Sequence, residues 1–383
     1  MQTMMRMNME LSKNKVLLGL SGGVDSATAA LLLKEKGLEV TGYFFDVSGN
    51  NIQGRKEARK VAEQLGIPLL LDDVSEEFHN TVISNFIEEY LHGRTPNPCI
   101  VCNPNIKFRH LIEKADEIGA YYIATGHYCR IGCDKRQPEQ AECGIDISSG
   151  KNDKTEKSSD YYIQRAANEK KDQSYMLYRL GQDVLSRLIF PLGQFLSKDE
   201  TRQFAREKHL DNAEKKDSQE ICFISPDESY IQYIQALGYS TKPGNFIDKN
   251  GKVLGTHQGI LHYTIGQRKG LGVALGKPAF VTDIDCSRNE IVLGDNEDLF
   301  ENEVISRDNC FVSGTLEDYN GKQILAKVRY SAQPSEAVIH VDGDRIHTVF
   351  LQKQRAITPG QSIVFYDGDK LLGGGFIEKN LSV

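Results

Sequence analysis

Three short stretches of this sequence hold residue types that can do chemistry. The first, Ser21-Gly22-Gly23-Val24-Asp25-Ser26, follows the apolar run Val16–Leu20 and precedes a helical pattern. Glycines allow positive φ and let another group approach the backbone closely. Successive backbone N–H groups can then form an anion-binding nest, and the following helix adds its positive N-terminal end. Ser21 and Ser26 can donate hydroxyl hydrogen bonds to phosphate oxygens, while Asp25 can cap the helix or help hold a magnesium ion. The chain has no Gly-Lys-Ser/Thr and no Gly-x-Gly-x-x-Gly, so this is neither a Walker A loop nor a dinucleotide fingerprint. A tight strand–helix turn is the plainer reading, but the full string after a strand favours phosphate binding.

The second stretch is GRTPNPCIVCNPNIKF, Gly93 to Phe108. Pro96 and Pro98 stiffen a loop and discourage helix, which would hold Cys99 and Cys102 in place. A Cys-x-x-Cys pair in a reducing compartment suggests redox or metal chemistry, with two small buried hydrophobes as the alternative. No second pair exists, so a closed four-cysteine zinc site is poorly supported. The third stretch is KKDSQEICFI, Lys215 to Ile224. Taken alone, Cys222 in its apolar run reads as a core cysteine. Lys215 and Lys216 would lower a thiol pKa only if they fold beside it.

These residues need a frame. Lys15–Leu20 reads as a buried strand and Asp25–Lys36 as a helix stopped by Gly37. Leu38–Phe45 is a second strand, Gln53–Leu65 a helix ending at Gly66, and Ile67–Leu71 a third strand. Glu76–Leu91 and Ile106–Ile118 read as helices on either side of the Pro/Asn-rich loop. Tyr121–Thr125 is a fourth strand running into Gly126-His127. The alternation predicts an α/β fold with a parallel sheet, in which ligands sit beyond the carboxyl ends of the strands.

At 383 residues the chain has room for two or three domains, and 39% hydrophobic with 26% charged residues is ordinary for a globular protein. No apolar run approaches the roughly 18 residues of a membrane span. The Met-rich start reads as a flexible lead-in over residues 1–14, not a signal peptide. A cytoplasmic location follows, where the eight cysteines would mostly be thiols, ligands or catalysts. The net charge of −7 argues mildly against nucleic acid as a partner but says little about a local basic patch.

The expected organisation is a catalytic domain over 15–214, a central domain over 215–276 and a C-terminal domain over 277–383. Within the first, 132–160 is a polar insertion whose Cys133 and Cys143 take no part in catalysis. The central segment carries the basic turn IGQRKGLG, where Gln267, Arg268 and Lys269 suit phosphate contacts or simply face solvent. From Lys277 onward, short alternating segments broken by Asp-Gly turns predict an antiparallel β-barrel.

The string SGGVDS resembles the pyrophosphate-binding loop of the N-type ATP pyrophosphatases, also described as adenine nucleotide alpha hydrolase-like. With GRTPNP, YIATGHY, KDQSYMLYRL, KKDSQEICFI, HQGILHYTIGQRKGLG, KVRY, TPGQSIVFY and LGGGFIE, the chain from about Lys15 onward resembles the tRNA-specific 2-thiouridylases (the MnmA/TrmU family). That resemblance implies the same domain order. It also implies ATP- and Mg2+-dependent adenylation of the C2 oxygen of the wobble uridine in tRNA, followed by sulfur replacement. Sulfur would come from a donor such as a cysteine desulfurase or a sulfur relay protein, and the enzyme would act as a monomer.

Residue by residue, the resemblance implies that Gly19, Leu20, Ser21, Gly22, Gly23, Val24, Asp25 and Ser26 hold the ATP phosphates. Phe45 would meet the adenine through its backbone, and Gly126 would line the nucleotide site. Cys222 would carry a persulfide and Cys102 would be its partner. Asn97, Pro98 and Cys99 match the segment that meets the target base, while His127, Lys171, Asp172, Gln173, Arg329, Tyr330 and Gln361 match tRNA-contacting positions. For Arg329 a solvent-facing strand position is the plainer alternative.

Two sulfur atoms suit this chemistry. A thiolate or persulfide is a strong nucleophile near neutral pH, and when its terminal sulfur leaves, a second thiol can close a disulfide. The chain departs from the family at two places. Many members carry aspartate where Cys99 stands, which leaves open a [4Fe–4S] cluster on Cys99, Cys102 and Cys222. The segment DVSGNNIQG after Phe45 is shorter than the family's loop, which points to an altered donor or tRNA set. A different adenylating synthetase and a non-catalytic binding protein are the remaining alternatives, but neither accounts for the two cysteines.

Overall fold

The computed structural model describes residues 11–134, 160–215 and 221–378. The Met-rich start, Cys143 with most of the polar insertion, and Lys216 lie outside them. The chain divides into two compact units. One comprises Met1–Phe78, Cys102–Asp217 and Asp369–Leu371; the other comprises His79–Val101, Ser218–Gly368 and Leu372–Val383.

In the first unit the chain runs β1 (Ser12–Gly19), α1 (Val24–Glu35), β2 (Glu39–Asp46), α2 (Ile52–Leu65) and β3 (Leu69–Asp73), then α3 (Ser75–Phe78). A π-helical turn, His79–Ile83, leads from α3 into α4 (Ser84–Leu91) of the second unit, so the single expected helix is a helix with a register shift inside it; the chain returns to the first unit at Cys102. Next come α5 (Pro98–Cys102), a π-helical turn Asn103–Lys107, α6 (Phe108–Glu117) and β4 (Ala120–Ala124). The hairpin β5 (Cys129–Asp134) and β6 (Asp160–Arg165) follows, then α7 (Gln182–Leu185), β7 (Leu188–Ile189) and α8 (Lys198–Glu207).

The sheet is parallel, in the order β3-β2-β1-β4-β7. Its register pairs Gly19 with Tyr43 and Leu18 with Ala124, so the ends of β1, β2 and β4 lie side by side. Both faces are covered, which is why β1 is an unbroken apolar run. Val16, Leu18 and Leu20 pack with Ala27, Ala30 and Leu33 of α1. Seven of its twelve residues are buried, most of them small, which fits it closely to the sheet. By contrast α2 is amphipathic, with Ala58, Val61, Ala62 and Leu65 inward. Asn51 caps its start by accepting from the Gly54 N–H at 2.7 Å, and Gly66 ends it in the left-handed region.

In the second unit α9 (Tyr230–Ala236) is followed by β8 (Gly244–Ile247), β9 (Val253–His257), β10 (Phe280–Asp285) and β11 (Glu290–Gly294), which form one sheet in the order β10-β11-β8-β9. Phe246, Ile260, Tyr263, Val281 and Ile291 are its core. Strands β12 (Phe300–Phe311), β13 (Gln323–Lys327), β14 (Ser335–Asp342), β15 (Arg345–Arg355), β16 (Ser362–Asp367) and β17 (Lys370–Ile377) form an antiparallel barrel, closed by pairing of β12 with β17. The segments PAFVTDID and EIVLGD, expected in the barrel, instead complete the preceding sheet. A parallel partner, β8 against β11, draws them there, and alternation alone cannot reveal it.

Candidate active site

The loop from Ser21 to Ser26 sits at the carboxyl end of β1. Gly22 has φ +78°, and a Cβ on it would lie 2.7 Å from Glu57 Cβ and 2.8 Å from Ala58 N of α2, so only glycine fits. Gly23 is the N-cap of α1, with extended backbone and no side-chain cap. Inside the loop, Ser21 Oγ accepts from the Gly23 N–H at 3.3 Å and Ser26 Oγ donates to the Gly23 carbonyl at 3.0 Å. Outside it, Asn212 Nδ2 donates to the Gly22 carbonyl at 3.1 Å.

Asp25 does not cap α1 as expected, because it lies inside the first turn. Its carboxylate faces Lys198 instead, with Nζ at 2.6 and 2.7 Å from the two oxygens. The buried Tyr128 hydroxyl donates to Asp25 Oδ1 at 2.7 Å and lies 2.9 Å from Thr201 Oγ1. Neither Lys198 nor Tyr128 stood out in the sequence, and both come from later parts of the same unit.

Beside this loop lies a cavity of about 260 Å³ lined by Gly19, Leu20, Ser21, Asp25 and Ser26, by Tyr43, Phe44 and Phe45 at the end of β2, by Thr125, Gly126 and His127 after β4, and by Lys107 and Gln173. Gly126 is needed there, since a Cβ would lie 3.0 Å from the backbone of Asp25 and Ser26. Lys107 adds a cation that the sequence reading did not single out. His127 Nδ1 is 2.7 Å from Thr125 Oγ1, and its ring stands 6.0 Å from that of Phe108. Burial, aided by the charge of Lys107, holds its imidazole well below the ordinary range, so the ring is neutral at pH 7.

The short segment after Phe45 is pinned by the buried carboxylate of Asp46. Asp46 accepts from the Ser48 N–H at 3.0 Å, the Asn51 N–H at 2.9 Å and Arg55 Nε at 2.8 Å. Burial alone would raise the Asp46 pKa; these donors outweigh it and hold the pKa below the ordinary range.

The loop Lys171–Gln173 joins this wall through Gln173, whose Oε1 accepts from the Tyr128 N–H at 2.9 Å. Asp172, matched to a tRNA-contacting position, is buried. It accepts from the Ala166 N–H at 3.1 Å and from Ser174 Oγ at 2.8 Å. Its side chain therefore holds the loop from inside; the half-buried Lys171 and Gln173 flank it.

The cysteine-bearing segment corrects an expectation. Pro98 does not discourage helix but begins one, α5, because its fixed φ suits the first helical turn, where no N–H partner is needed. Cys102 is buried in the first unit. Cys99 is exposed in the second, where its N–H donates to Asn97 Oδ1 at 3.1 Å. Cys222 is exposed as well, which overturns its reading as a core cysteine. Phe223 anchors that run instead, edge-on to Phe86 at 5.3 Å and 5.5 Å from Tyr233. Lys215 is engaged by Glu57 of α2, so its charge is already paired in the first unit.

Family comparison gives the same domain order. Sequence-family models match residues 14–226 (tRNA methyl transferase HUP domain), 232–295 (tRNA methyl transferase PRC-barrel domain) and 306–377 (Aminomethyltransferase beta-barrel domain). A "tRNA-specific 2-thiouridylase MnmA 2" of Clostridium botulinum is 46% identical, covering 96% of this chain and 99% of its own length. The "tRNA-specific 2-thiouridylase MnmA" of Clostridium acetobutylicum is 45% identical over 95% and 99%. The "tRNA-specific 2-thiouridylase MnmA 1" of Caldanaerobacter subterraneus subsp. tengcongensis is 45% identical over 96% and 99%.

The chain belongs to the tRNA-specific 2-thiouridylase family. It is therefore an enzyme, built on a HUP domain that uses ATP. Three residues of the second unit that the sequence reading expects at the tRNA have defined surroundings. Arg329 donates to the carbonyls of Arg355, at 3.1 Å, and Ala356. Tyr330 is exposed, with Lys327 Nζ 5.7 Å from its ring centre. Gln361 Nε2 donates to the Thr95 carbonyl. In the basic turn, Gln267 is tied back by its own side chain at 3.0 Å from the Lys269 carbonyl, which leaves Arg268 and Lys269 exposed.

Among the described residues no three His, Cys, Asp or Glu side chains are gathered to hold a metal ion, so a ready-made ligand set for an iron–sulfur cluster is not found there. Magnesium asks for less, one or two carboxylates together with substrate phosphates, and Asp25 at the cavity wall suits that. Among the described residues no helix is long and apolar enough to cross a membrane.

Proposed function

We propose that this enzyme 2-thiolates the wobble uridine of tRNA in two half-reactions. The observation that carries the reading is the cavity at the carboxyl end of the parallel sheet, where the phosphate loop, Phe45, Gly126 and Lys107 converge. ATP would lie with its phosphates on the Ser21–Ser26 loop and its adenine toward Phe45. Asp25 would hold Mg2+, which supplies charge compensation for the phosphates. The uridine C2 oxygen attacks the α-phosphorus, pyrophosphate leaves, and the oxygen becomes a good leaving group as AMP.

In the second half-reaction the terminal sulfur of a Cys222 persulfide attacks C2 and expels AMP. The Cys102 thiolate then attacks Cys222 Sγ. This breaks the sulfur–sulfur bond to the substrate, releases 2-thiouridine and leaves a Cys102–Cys222 disulfide. A two-electron thiol reductant restores both cysteines, and a sulfur-donor protein reloads Cys222. Exposure of Cys222 supports this, since reloading needs an accessible thiol. The assignment of attack to one cysteine and release to the other rests on the family resemblance. The family-model description speaks of methyl transfer, but a phosphate loop with two reactive-type cysteines suits adenylation and sulfur transfer.

A [4Fe–4S] route on Cys99, Cys102 and Cys222 has no gathered ligand set to support it, and no step is assigned to a cluster. Mass spectrometry of tRNA nucleosides after incubation with ATP, Mg2+, and a cysteine desulfurase with cysteine as persulfide donor tests the function. Sulfur at uridine C2, with pyrophosphate released only when tRNA is present, is the expected result. Pyrophosphate released without tRNA would favour a different adenylating enzyme, and none in either case a binding protein. Thiolation by the iron-free protein would eliminate the cluster.

A further inference from the structure

The phosphate loop carries a liability in its own sequence. Asp25 puts a carboxylate on the wall of a cavity that must admit a triphosphate. Unit charges a few ångströms apart interact strongly where water is partly excluded. The compensating charge is Lys198, which comes from the start of α8, 173 positions further along the chain. Its ammonium meets both Asp25 oxygens, and its side chain is 12% exposed. Tyr128 supports the same carboxylate from one side and is itself in contact with Thr201, one helical turn beyond Lys198. Lys107 also lines the cavity, but no ion pair ties it to Asp25 in this structure.

We propose that Lys198 is a positioning residue for adenylation: it neutralises and orients Asp25 so that the phosphates can enter the loop. When Mg2+ accompanies ATP, Asp25 is then already aimed at the cavity. This inference rests on the nucleotide reading of the cavity. It differs from a direct contact between Lys198 and phosphate, and a charge cycle separates the two.

The measurement is calorimetric titration of the full-length protein with ATP in the presence of EDTA, so that no Mg2+ contributes. Lys198→Met leaves Asp25 uncompensated and should weaken ATP binding by about tenfold or more. Lys198→Arg keeps the charge and should bind as wild type does. The double variant Lys198→Met/Asp25→Asn is again neutral at this point and should recover to within about threefold of wild type, while Asp25→Asn alone should bind at least as well. Wild-type affinity in Lys198→Met overturns the proposal. So does a double variant as weak as Lys198→Met, because that result marks a direct phosphate contact. If the wild-type protein fails to bind ATP, the nucleotide reading itself is lost. Thermal unfolding of each variant shows that the comparison is between folded proteins.

Discussion

Gln361 of the barrel unit donates its side-chain N–H to the Thr95 carbonyl at 2.8 Å, across 266 positions of chain. The Thr95 N–H in turn donates to the Pro359 carbonyl at 2.9 Å. Gly360 makes this fit possible: its φ is +88°, and a Cβ there would lie 2.9 Å from Thr95 N. The turn Thr358–Gln361 therefore clamps the strand of chain that leads to Asn97 and Cys99. Gln361→Ala should cost about 1 kcal/mol, the usual net value of a hydrogen bond, and loosen that segment. Hydrogen exchange over residues 93–99 should speed up. Unchanged exchange there, with lost tRNA affinity, would show that Gln361 acts on tRNA alone.

Cys222→Ser should abolish thiolation while ATP and tRNA affinities stay within about threefold of wild type, because the change replaces one exposed sulfur atom by oxygen and removes no other contact. Thiolation at the wild-type rate would refute the persulfide assignment. Mass analysis of the intact protein after sulfur loading should show one extra sulfur on Cys222 in the wild type and none in the variant.

Cys99→Ser tests the departure from the family pattern. On the persulfide route Cys99 carries no sulfur and closes no disulfide, so iron-free Cys99→Ser should still thiolate tRNA. Loss of thiolation together with loss of bound iron after anaerobic reconstitution would establish the cluster instead.

Much of the first unit was legible in the sequence because its signals are local. Gly37 and Gly66 mark helix ends, apolar runs mark doubly covered strands, and Gly22-Gly23 mark a tight strand–helix turn. β7 escaped because two residues, Leu188 and Ile189, carry no periodicity. α5 escaped because Pro98 opposes helix everywhere except at a helix start. Lys198 and Tyr128 escaped for a different reason. Each is an ordinary residue until folding brings it to Asp25, and no spacing rule links positions so far apart. Cys222 was misjudged because its apolar neighbours suggested burial, whereas Ile224 takes the buried place and Phe223 packs half-buried against Phe86.

Gly22→Ala should damage the phosphate loop through the backbone and not through lost chemistry. Alanine at φ +78° is strained, and its Cβ would meet Glu57 and Ala58, so α2 must shift. A cost of about 2 kcal/mol or more is expected. ATP affinity and thermal stability should fall together. A variant with wild-type stability and ATP affinity would show that the loop has room which the structure does not provide.

His127 gives the pH prediction. Its pKa is lowered in the folded protein, so the unfolded chain binds a proton more readily. Stability linked to the neutral ring is therefore complete above the unfolded pKa of about 6.5 and is lost as pH falls below it. The loss cannot exceed about 1.4 kcal/mol per pH unit for one proton. His257 and His262 are lowered by burial too, so the acid slope of the whole protein holds several contributions. His127→Gln should remove one of them. Denaturant unfolding between pH 7 and pH 5 should give a shallower slope for the variant than for wild type. Parallel slopes would mean that the ring takes up its proton equally well in the folded and the unfolded chain, so that burial beside Lys107 does not disfavour it.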